Sequence, residues 1–136
     1  MVSLTLKMWF GMNKEKDVLS GVRERLKIYE FHKVVLWHER MNSGKVKTEF
    51  GTWVQMAVKG TPDVVAVVRN KQGGISLLFF ELKSDTGTLR PEQKEFRDRF
   101  IGCKDVMYAV ITDPKQIDTI ISDIGIDHSL GLPEDI

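Results

Sequence analysis

Two short apolar runs around a glycine-rich turn constrain this chain more than any other part of its sequence. Residues 64–68 and 75–80 are rich in β-branched and aromatic side chains, and residues 70–74 between them carry asparagine and two glycines. This pattern predicts a buried antiparallel β-hairpin. If the hairpin closes symmetrically about Gln72, Asp63 lies directly opposite Glu81.

The symmetric register brings charged residues together at the open end of the hairpin. Because side chains alternate along a strand, Glu81 and Lys83 project from the same face as Asp63. Facing carboxylates repel each other unless a cation lies between them, so a divalent metal site is one explanation of the cluster. The other explanation is an ordinary salt bridge of Lys83 with one acid, which a register slip of two residues would also allow.

Composition is typical of a globular protein with one domain. The 136 residues are 42% hydrophobic and 29% charged, which suffices for a core and argues against disorder. We predict a single domain over residues 1–136, with a core over about 13–124, an N-terminal arm and a C-terminal tail. The net charge of +1 neither supports nor excludes binding to nucleic acid.

The sequence also predicts where the protein resides and how its cysteine behaves. The apolar runs are of strand length and the N-terminus lacks a signal-peptide pattern, so we expect a cytoplasmic protein without a membrane partner. Cys103 is the single cysteine, which excludes an internal disulfide. We expect its thiol to be packed or partly buried.

An amphipathic helix is predicted from Asn13, as its N-cap, to about Tyr29. One stripe of this helix contains Glu15, Val18, Val22, Leu26 and Tyr29. A carboxylate on the apolar stripe requires a partner, and the acids of the hairpin are the obvious one. Alternatively, Glu15 lies in a frayed first turn and reaches water. Glu24 falls on the opposite side and should face solvent.

The remaining segments complete an α/β order. We predict a strand over residues 33–38, an apolar segment over 53–58, a helix from Pro91 to about Ile101, a strand over 105–112 and a helix after Asp113-Pro114. The last strand is apolar on both faces, so we expect it to be central or covered.

The helix that begins at Pro91 places a single amide, Gln93, in an apolar row. The other members of that row are Leu89, Phe96, Phe100 and Cys103. A buried amide must be hydrogen-bonded. Gln93 therefore either bonds to the sheet edge that carries Glu81 or caps the start of its own helix.

The residues of the central motif resemble a known nuclease family. Gly60-Thr61-Pro62-Asp63, Phe80-Glu81-Leu82-Lys83 and the later Pro91-Glu92-Gln93 resemble the PD-(D/E)xK signature, and in detail the stand-alone VRR-NUC (virus-type replication-repair nuclease) domain. The resemblance covers roughly residues 15–112. It implies a restriction-endonuclease-like α/β fold, with a mixed central sheet flanked by helices in the order αβββαβ plus a C-terminal helix.

The resemblance also implies a magnesium-dependent endonuclease, with manganese able to substitute. Its metal ligands would be Glu15, Asp63, Glu81 and the backbone carbonyl of Leu82, while Lys83 and Gln93 would act on water or phosphate. Hard oxygen ligands without clustered Cys or His favour Mg²⁺ over Zn²⁺. Candidates for contacts with DNA are Arg40, Asn42 and Lys59, although structural hydrogen bonds explain Arg40 and Asn42 equally well.

This chain resembles the stand-alone members of the family, which cut branched DNA, such as four-way (Holliday) junctions, as homodimers. The resemblance therefore implies DNA and a second copy of the chain as partners, with residues 1–11, Leu130 and Leu132 as candidate dimer contacts. Two alternatives are a catalytically silent module that binds DNA structures, and a metal-dependent enzyme acting on flaps, linear DNA or another phosphate ester. The complete set of three acids and a lysine favours an enzyme.

Overall fold

The computed structural model describes residues 14–41, 44–55, 57–85 and 87–127. Within these residues the chain forms three helices and six strands. The helices are α1 (Glu15–Phe31), α2 (Pro91–Asp98) and α3 (Lys115–Ile124). The strands are β1 (Val35–Arg40), β2 (Lys45–Lys47), β3 (Trp53–Gln55), β4 (Val64–Arg69), β5 (Ile75–Leu82) and β6 (Val106–Ile111).

Four of the strands form one mixed sheet in the order β1-β4-β5-β6. The β1–β4 and β4–β5 pairs are antiparallel, whereas β6 lies parallel to β5 and is reached through α2. Helices α1 and α3 pack on one face of the sheet, and α2 packs on the other through contacts of Phe96 and Phe100 with Phe79. The chain is thus an α/β protein with a mixed four-stranded sheet flanked by helices, as the sequence predicts.

The central hairpin has the register expected from its symmetry. Pairing runs from Val64 with Phe80 at the open end to Arg69 with Ile75 at the turn. Asn70 shapes the turn, because its side-chain oxygen accepts hydrogen bonds from the backbone N–H groups of Gln72 (3.1 Å) and Gly74 (3.0 Å). The predicted register is confirmed. Asp63 and Glu81 are the next residues beyond the Val64–Phe80 pair at the open end of the hairpin.

The main core lies between the sheet and the two helices α1 and α3. Its fully buried side chains include Val18, Val22 and Leu26 of α1, Val64, Ala66 and Val68 of β4, Leu78 and Phe80 of β5, and Ile117 of α3. Burial of each large apolar side chain contributes about 1.5–3 kcal/mol. The predicted apolar stripe of the first helix is therefore confirmed, and it fixes the rotation of α1 about its axis.

Several predicted boundaries differ from the observed ones. Helix α1 begins at Glu15 with Lys14 as its N-cap, so the assignment of Asn13 as the cap is wrong. Strand β1 begins at Val35 and extends to Arg40, further along the chain than predicted. Helix α2 ends at Asp98 rather than at Ile101. The start of α3 is as predicted, with Pro114 at the N-cap and Asp113 bonded to the Lys115 N–H.

Two expectations about burial are wrong. The last strand is not central but an edge strand, and it is only partly covered: Tyr108 packs on Phe96 and Ala109 packs on the core, whereas Met107 is 37% and Val110 38% exposed. Cys103 is exposed rather than packed. Since α2 ends before it, the helical spacing that placed Cys103 on the inward side does not apply.

A second, two-stranded sheet was not predicted. Strands β2 and β3 pair antiparallel, with Lys45 opposite Gln55 and Lys47 opposite Trp53. They lie between β1 and β4 in the chain but outside the main sheet. The apolar segment expected at residues 53–58 therefore begins as a strand of this small hairpin.

Candidate active site

The approach of the chain to Asp63 is fixed by a glycine. Gly60 has φ +93°, and a Cβ at this position would collide with the backbone carbonyl oxygen of Glu92. Both the backbone conformation and the contact with the start of α2 therefore require glycine. Thr61 then closes the bend by donating its hydroxyl to the carbonyl of Val58 at 2.6 Å. Gly-Thr in the motif is thus explained by packing.

Asp63 is held at the open end of the sheet by three hydrogen bonds. Its backbone N–H donates to the Phe80 carbonyl (3.1 Å), and its carbonyl accepts from the Met41 N–H (2.7 Å). Its side-chain Oδ2 accepts from the backbone N–H of Leu82 (2.8 Å). These contacts join β1, β4 and β5 at the aspartate, so its carboxylate occupies a defined position.

Glu81 is a buried carboxyl, only 3% exposed, and it is bonded to α2. Gln93 Nε2 donates to Glu81 Oε1 at 2.8 Å, while Gln93 Oε1 accepts from the Arg90 N–H at 2.8 Å. Gln93 therefore both bonds to the sheet edge and caps its helix, which the sequence left as alternatives. The other oxygen, Glu81 Oε2, is buried and accepts no N–H or hydroxyl hydrogen bond from the described residues, but the Asp63 carboxyl is close enough to share a proton with Glu81.

The electrostatic surroundings of Glu81 favour its protonated form in the absence of a cation. Burial, and next the charge of Asp63, raise the pKa of Glu81 to about 8. Lys83 acts in the opposite direction, but its Nζ is 3.9 Å from Glu81 Oε1 although the lysine is only 8% exposed. The expected salt bridge is thus present, but it is long and involves Oε1.

Glu15, in the first turn of α1, lines a cleft together with Asp63, and Glu81 is not among the residues that line it. This cleft of about 310 Å³ is lined by Glu15, Lys16, Leu19, Arg40, Asp63 and Leu82. Glu15 is exposed, so the alternative that it reaches water is correct, yet it faces the cleft that Asp63 lines. Glu24 lines a different surface hollow with Arg23 and Lys27. Of the two glutamates, Glu15 therefore lines the cleft with Asp63 and Glu24 does not, as the sequence predicts.

The residues predicted to contact DNA differ in their distance from the cleft. Arg40 lies on the cleft, whereas the Lys59 ammonium lies 3.9 Å from Glu92 Oε1 on a side chain that is 75% exposed. Asn42 lies outside the described residues, as do residues 1–11, Leu130 and Leu132. Arg40 is thus the basic candidate that the structure brings to the acids.

The donor set can be tested against a metal ion. Within residues 14–41, 44–55, 57–85 and 87–127, no three His, Cys, Asp or Glu side chains are grouped closely enough to hold an ion. Asp63 and Glu81 form a close pair, and Glu15 lines the cleft beside Asp63. Two adjacent carboxyls that share a proton could exchange it for a hard cation such as Mg²⁺, which carboxylate oxygens bind.

Sequence reasoning missed Tyr108, a neighbour of the acid pair. Its hydroxyl is buried without a hydrogen-bond partner in the described part of the chain. Burial, followed by the charges of Glu81 and Asp63, raises the pKa of Tyr108. The proximity arises from the parallel pairing of β6 with β5, which places Tyr108 beside Phe79, two positions before Glu81 on the same face, and the sequence pattern carries no signal for that pairing.

Comparison with known proteins finds no matching family model, no matching curated protein and no matching solved structure. In the part of the chain that is described, no helix is both long and apolar enough to cross a bilayer. The functional argument therefore depends on the site itself.

Proposed function

We propose that this chain is a metal-dependent endonuclease that hydrolyses phosphodiester bonds in DNA. The observation that carries the proposal is the buried Glu81 carboxyl, which is oriented by Gln93 and lies close enough to the Asp63 carboxyl to share a proton with it. Burial and the charge of Asp63 make ionisation of both acids costly, which is why the pKa of Glu81 is raised. A cation between the two acids would take the place of that proton and offset the cost.

The order of elements supports a restriction-endonuclease-like core. With the β2–β3 hairpin set aside, the described chain runs helix, three strands, helix, strand, helix. This is the order that the resemblance of the central motif implies. Both acids lie at one end of the central strand pair, where a cleft opens to solvent.

The residues present suit magnesium or manganese. Asp63 and Glu81 would hold the ion, with Glu15 and the carbonyl of Leu82 completing an all-oxygen set. When bound, such an ion lowers the pKa of a coordinated water and offsets negative charge on the phosphate.

The protein groups around the acids have separate tasks in this proposal. Gln93 orients Glu81 by donating to one of its oxygens, so that the other faces the ion. The buried Lys83 ammonium positions the attacking water or balances charge on the scissile phosphate. Arg40 on the cleft would bind a neighbouring phosphate through its guanidinium.

We infer that the substrate is branched DNA, such as a four-way junction, and that the enzyme acts as a homodimer. One site cuts one strand, and a symmetric dimer supplies two equivalent sites for paired incisions. The motif resemblance is the support for this finer part of the proposal.

The metal assignment is tested by replacing each acid with its amide. We expect Glu15→Gln, Asp63→Asn and Glu81→Gln each to reduce Mg²⁺-dependent cleavage at least about 100-fold, because each removes a ligand charge. The amide oxygen of Asp63→Asn can still accept the hydrogen bond from the Leu82 N–H, and that of Glu81→Gln can still accept the one from Gln93. Glu24→Gln is the matched control and should cleave like the wild type.

The assay uses labelled four-way junction, flap and linear duplex, with Mg²⁺ or EDTA, and circular dichroism to verify folding. Cleavage at the wild-type rate by Asp63→Asn or Glu81→Gln would refute the metal assignment. Junction binding by the wild type without any cleavage would instead identify a binding module. Hydrolysis of a simple phosphate ester but not of DNA would identify a different phosphoesterase.

A further inference from the structure

The β2–β3 hairpin exposes aromatic and aliphatic side chains on a very small sheet. Trp53 is 63% exposed, and Phe50, in the turn between the strands, is 86% exposed. Val46 and Val54 face each other on the opposite side and are 43% exposed each. A two-stranded hairpin of this size is marginal alone in water, so a binding partner is expected to cover it.

One face of this hairpin combines an aromatic ring with positive charge. Lys47 pairs directly with Trp53, and Lys45 projects from the same face because side chains alternate along β2. Both lysines are exposed, and neither forms an ion pair with any residue in the described ranges. Lysines beside an exposed ring are the arrangement with which proteins bind single-stranded nucleic acid.

The turn presents Phe50 at the tip of the hairpin. The Thr48 N–H donates to the Thr52 carbonyl at 2.7 Å, and the Thr52 N–H donates back to Thr48 Oγ1 at 3.3 Å. Gly51 has φ +82° and completes the reversal. The turn is thus closed by its own hydrogen bonds, and Phe50 is left to project into solvent.

The hairpin is attached at the rim of the candidate active site. The chain enters it after Arg40, which lines the cleft, and returns to Asp63. The N–H of Met41 donates to the carbonyl of Asp63 at 2.7 Å, which joins the two ends of the segment. The hairpin therefore leaves the main sheet at the end where Asp63 lies.

We propose that the β2–β3 hairpin binds unpaired DNA bases beside the cut strand. Trp53 and Phe50 stack on the bases, while Lys45 and Lys47 neutralise neighbouring phosphates. Bases within an intact duplex already stack on both faces, so these rings select DNA with an open or branched segment. This inference rests on the proposed nuclease function and names the feature of the substrate that the enzyme recognises.

DNA fits this surface better than a second copy of the chain. A symmetric contact through the Trp53 face would bring Lys45 and Lys47 of both copies together, and like charges in apposition are unfavourable. A phosphate backbone offers the complementary charge along the strand.

The test measures binding without metal, so that it is independent of cleavage. Fluorescence anisotropy in EDTA would follow a dye-labelled single-stranded oligothymidine, a four-way junction with an open centre and a linear duplex. We expect Trp53→Ala and Phe50→Ala each to weaken binding to the single strand and the junction about tenfold, and to the duplex less than twofold. Trp53→Phe should retain most of the affinity, because it preserves a ring.

Phe31→Ala is the matched control, since Phe31 is 81% exposed at the end of α1, away from the cleft. Unchanged affinity in Trp53→Ala and Phe50→Ala, or an equal loss on all three DNAs, would overturn the inference. Sedimentation that changes from dimer to monomer in Trp53→Ala, with single-strand affinity preserved, would assign the hairpin to self-association instead. Selective loss of single-strand binding together with full cleavage by Asp63→Asn would keep the inference and reject the metal site.

Discussion

Glu81 is the residue on which the chemistry of the site depends most. Its pKa of about 8 means that near neutral pH the metal-free carboxyl is largely protonated. Gln93 is bound to one oxygen in either state, because the amide only donates to it. Glutamine at position 81 is therefore a close mimic of the metal-free glutamic acid but cannot supply a ligand charge.

The raised pKa predicts how stability depends on pH. The folded protein binds the Glu81 proton more tightly than the unfolded chain, whose glutamate has an ordinary pKa of 4.5. This contribution to the free energy of unfolding is therefore complete at low pH and is lost as pH rises from about 4.5 through about 8. We expect the Tm of the metal-free protein to fall over this range, and the fall to be smaller in Glu81→Gln.

The measurement is thermal unfolding by circular dichroism at pH 5, 6, 7 and 8 in EDTA, with Glu24→Gln as a control that should follow the wild type. Adding Mg²⁺ at pH 8 should raise the Tm of the wild type and not that of Glu81→Gln, because the ion binds the ionised carboxylate. Parallel curves for wild type and Glu81→Gln would show that the carboxyl does not titrate as described.

The orientation of a site residue was predictable from the sequence where it lies within a single helix or strand, whose side-chain repeat is known. The helix phase separated Glu15 from Glu24, and the strand alternation placed Glu81 on the face that Gln93 covers. Cys103 was assigned wrongly because its helix ends before it. Tyr108 was missed because its proximity to the acids arises from a parallel pairing that single-strand patterns do not report.

At the scale of elements, the bend before β4 and the start of α2 form one unit. Gly60 lies against the Glu92 carbonyl in the first turn of α2. In the same turn, the Gln93 side chain accepts a hydrogen bond from the backbone N–H of Arg90. The helix that orients Glu81 is therefore packed directly on the segment that positions Asp63.

A pair of glycine substitutions tests this packing. Gly73 has φ +87° with open space around it, so Gly73→Ala should cost about 1–2 kcal/mol through backbone strain alone. Gly60→Ala adds a collision with a backbone carbonyl and should cost about 1–3 kcal/mol more. Urea unfolding of both variants measures the difference. Equal losses would mean that the Glu92 contact does not constrain position 60.

The longer elements were predictable and the shortest were not. Helix α1 and the β4–β5 hairpin repeat one pattern over several turns or pairs, which fixes their phase and register. Strands β2 and β3 contain three residues each, so they show no periodicity to detect. The position of β6 at the edge depends on the order of strands in the sheet, which apolar alternation does not determine.

At the scale of the whole molecule, the described chain carries one candidate site and offers one open sheet edge at β6 and another at β1. Paired incision of a four-way junction requires two sites related by symmetry. In the proposed dimer the interface would lie away from the cleft, which in the same proposal admits DNA.

We expect the protein to sediment as a dimer at micromolar concentration and, with Mg²⁺, to nick a synthetic four-way junction symmetrically in preference to a duplex of the same sequence. Mapping the cut positions on all four strands gives the symmetry. A monomer in sedimentation, or equal cleavage of junction and duplex, would remove the dimer and junction assignments and leave the nuclease proposal standing.

The hydrogen bond between the Met41 N–H and the Asp63 carbonyl closes the chain segment that contains β2 and β3 at its base. The entropic cost of a closed loop grows slowly, by about 0.6 kcal/mol for each doubling of its length. We therefore expect changes in the length of this segment to cost little stability. In evolutionary terms the segment can vary in length and sequence while Asp63 keeps its place at the end of the sheet.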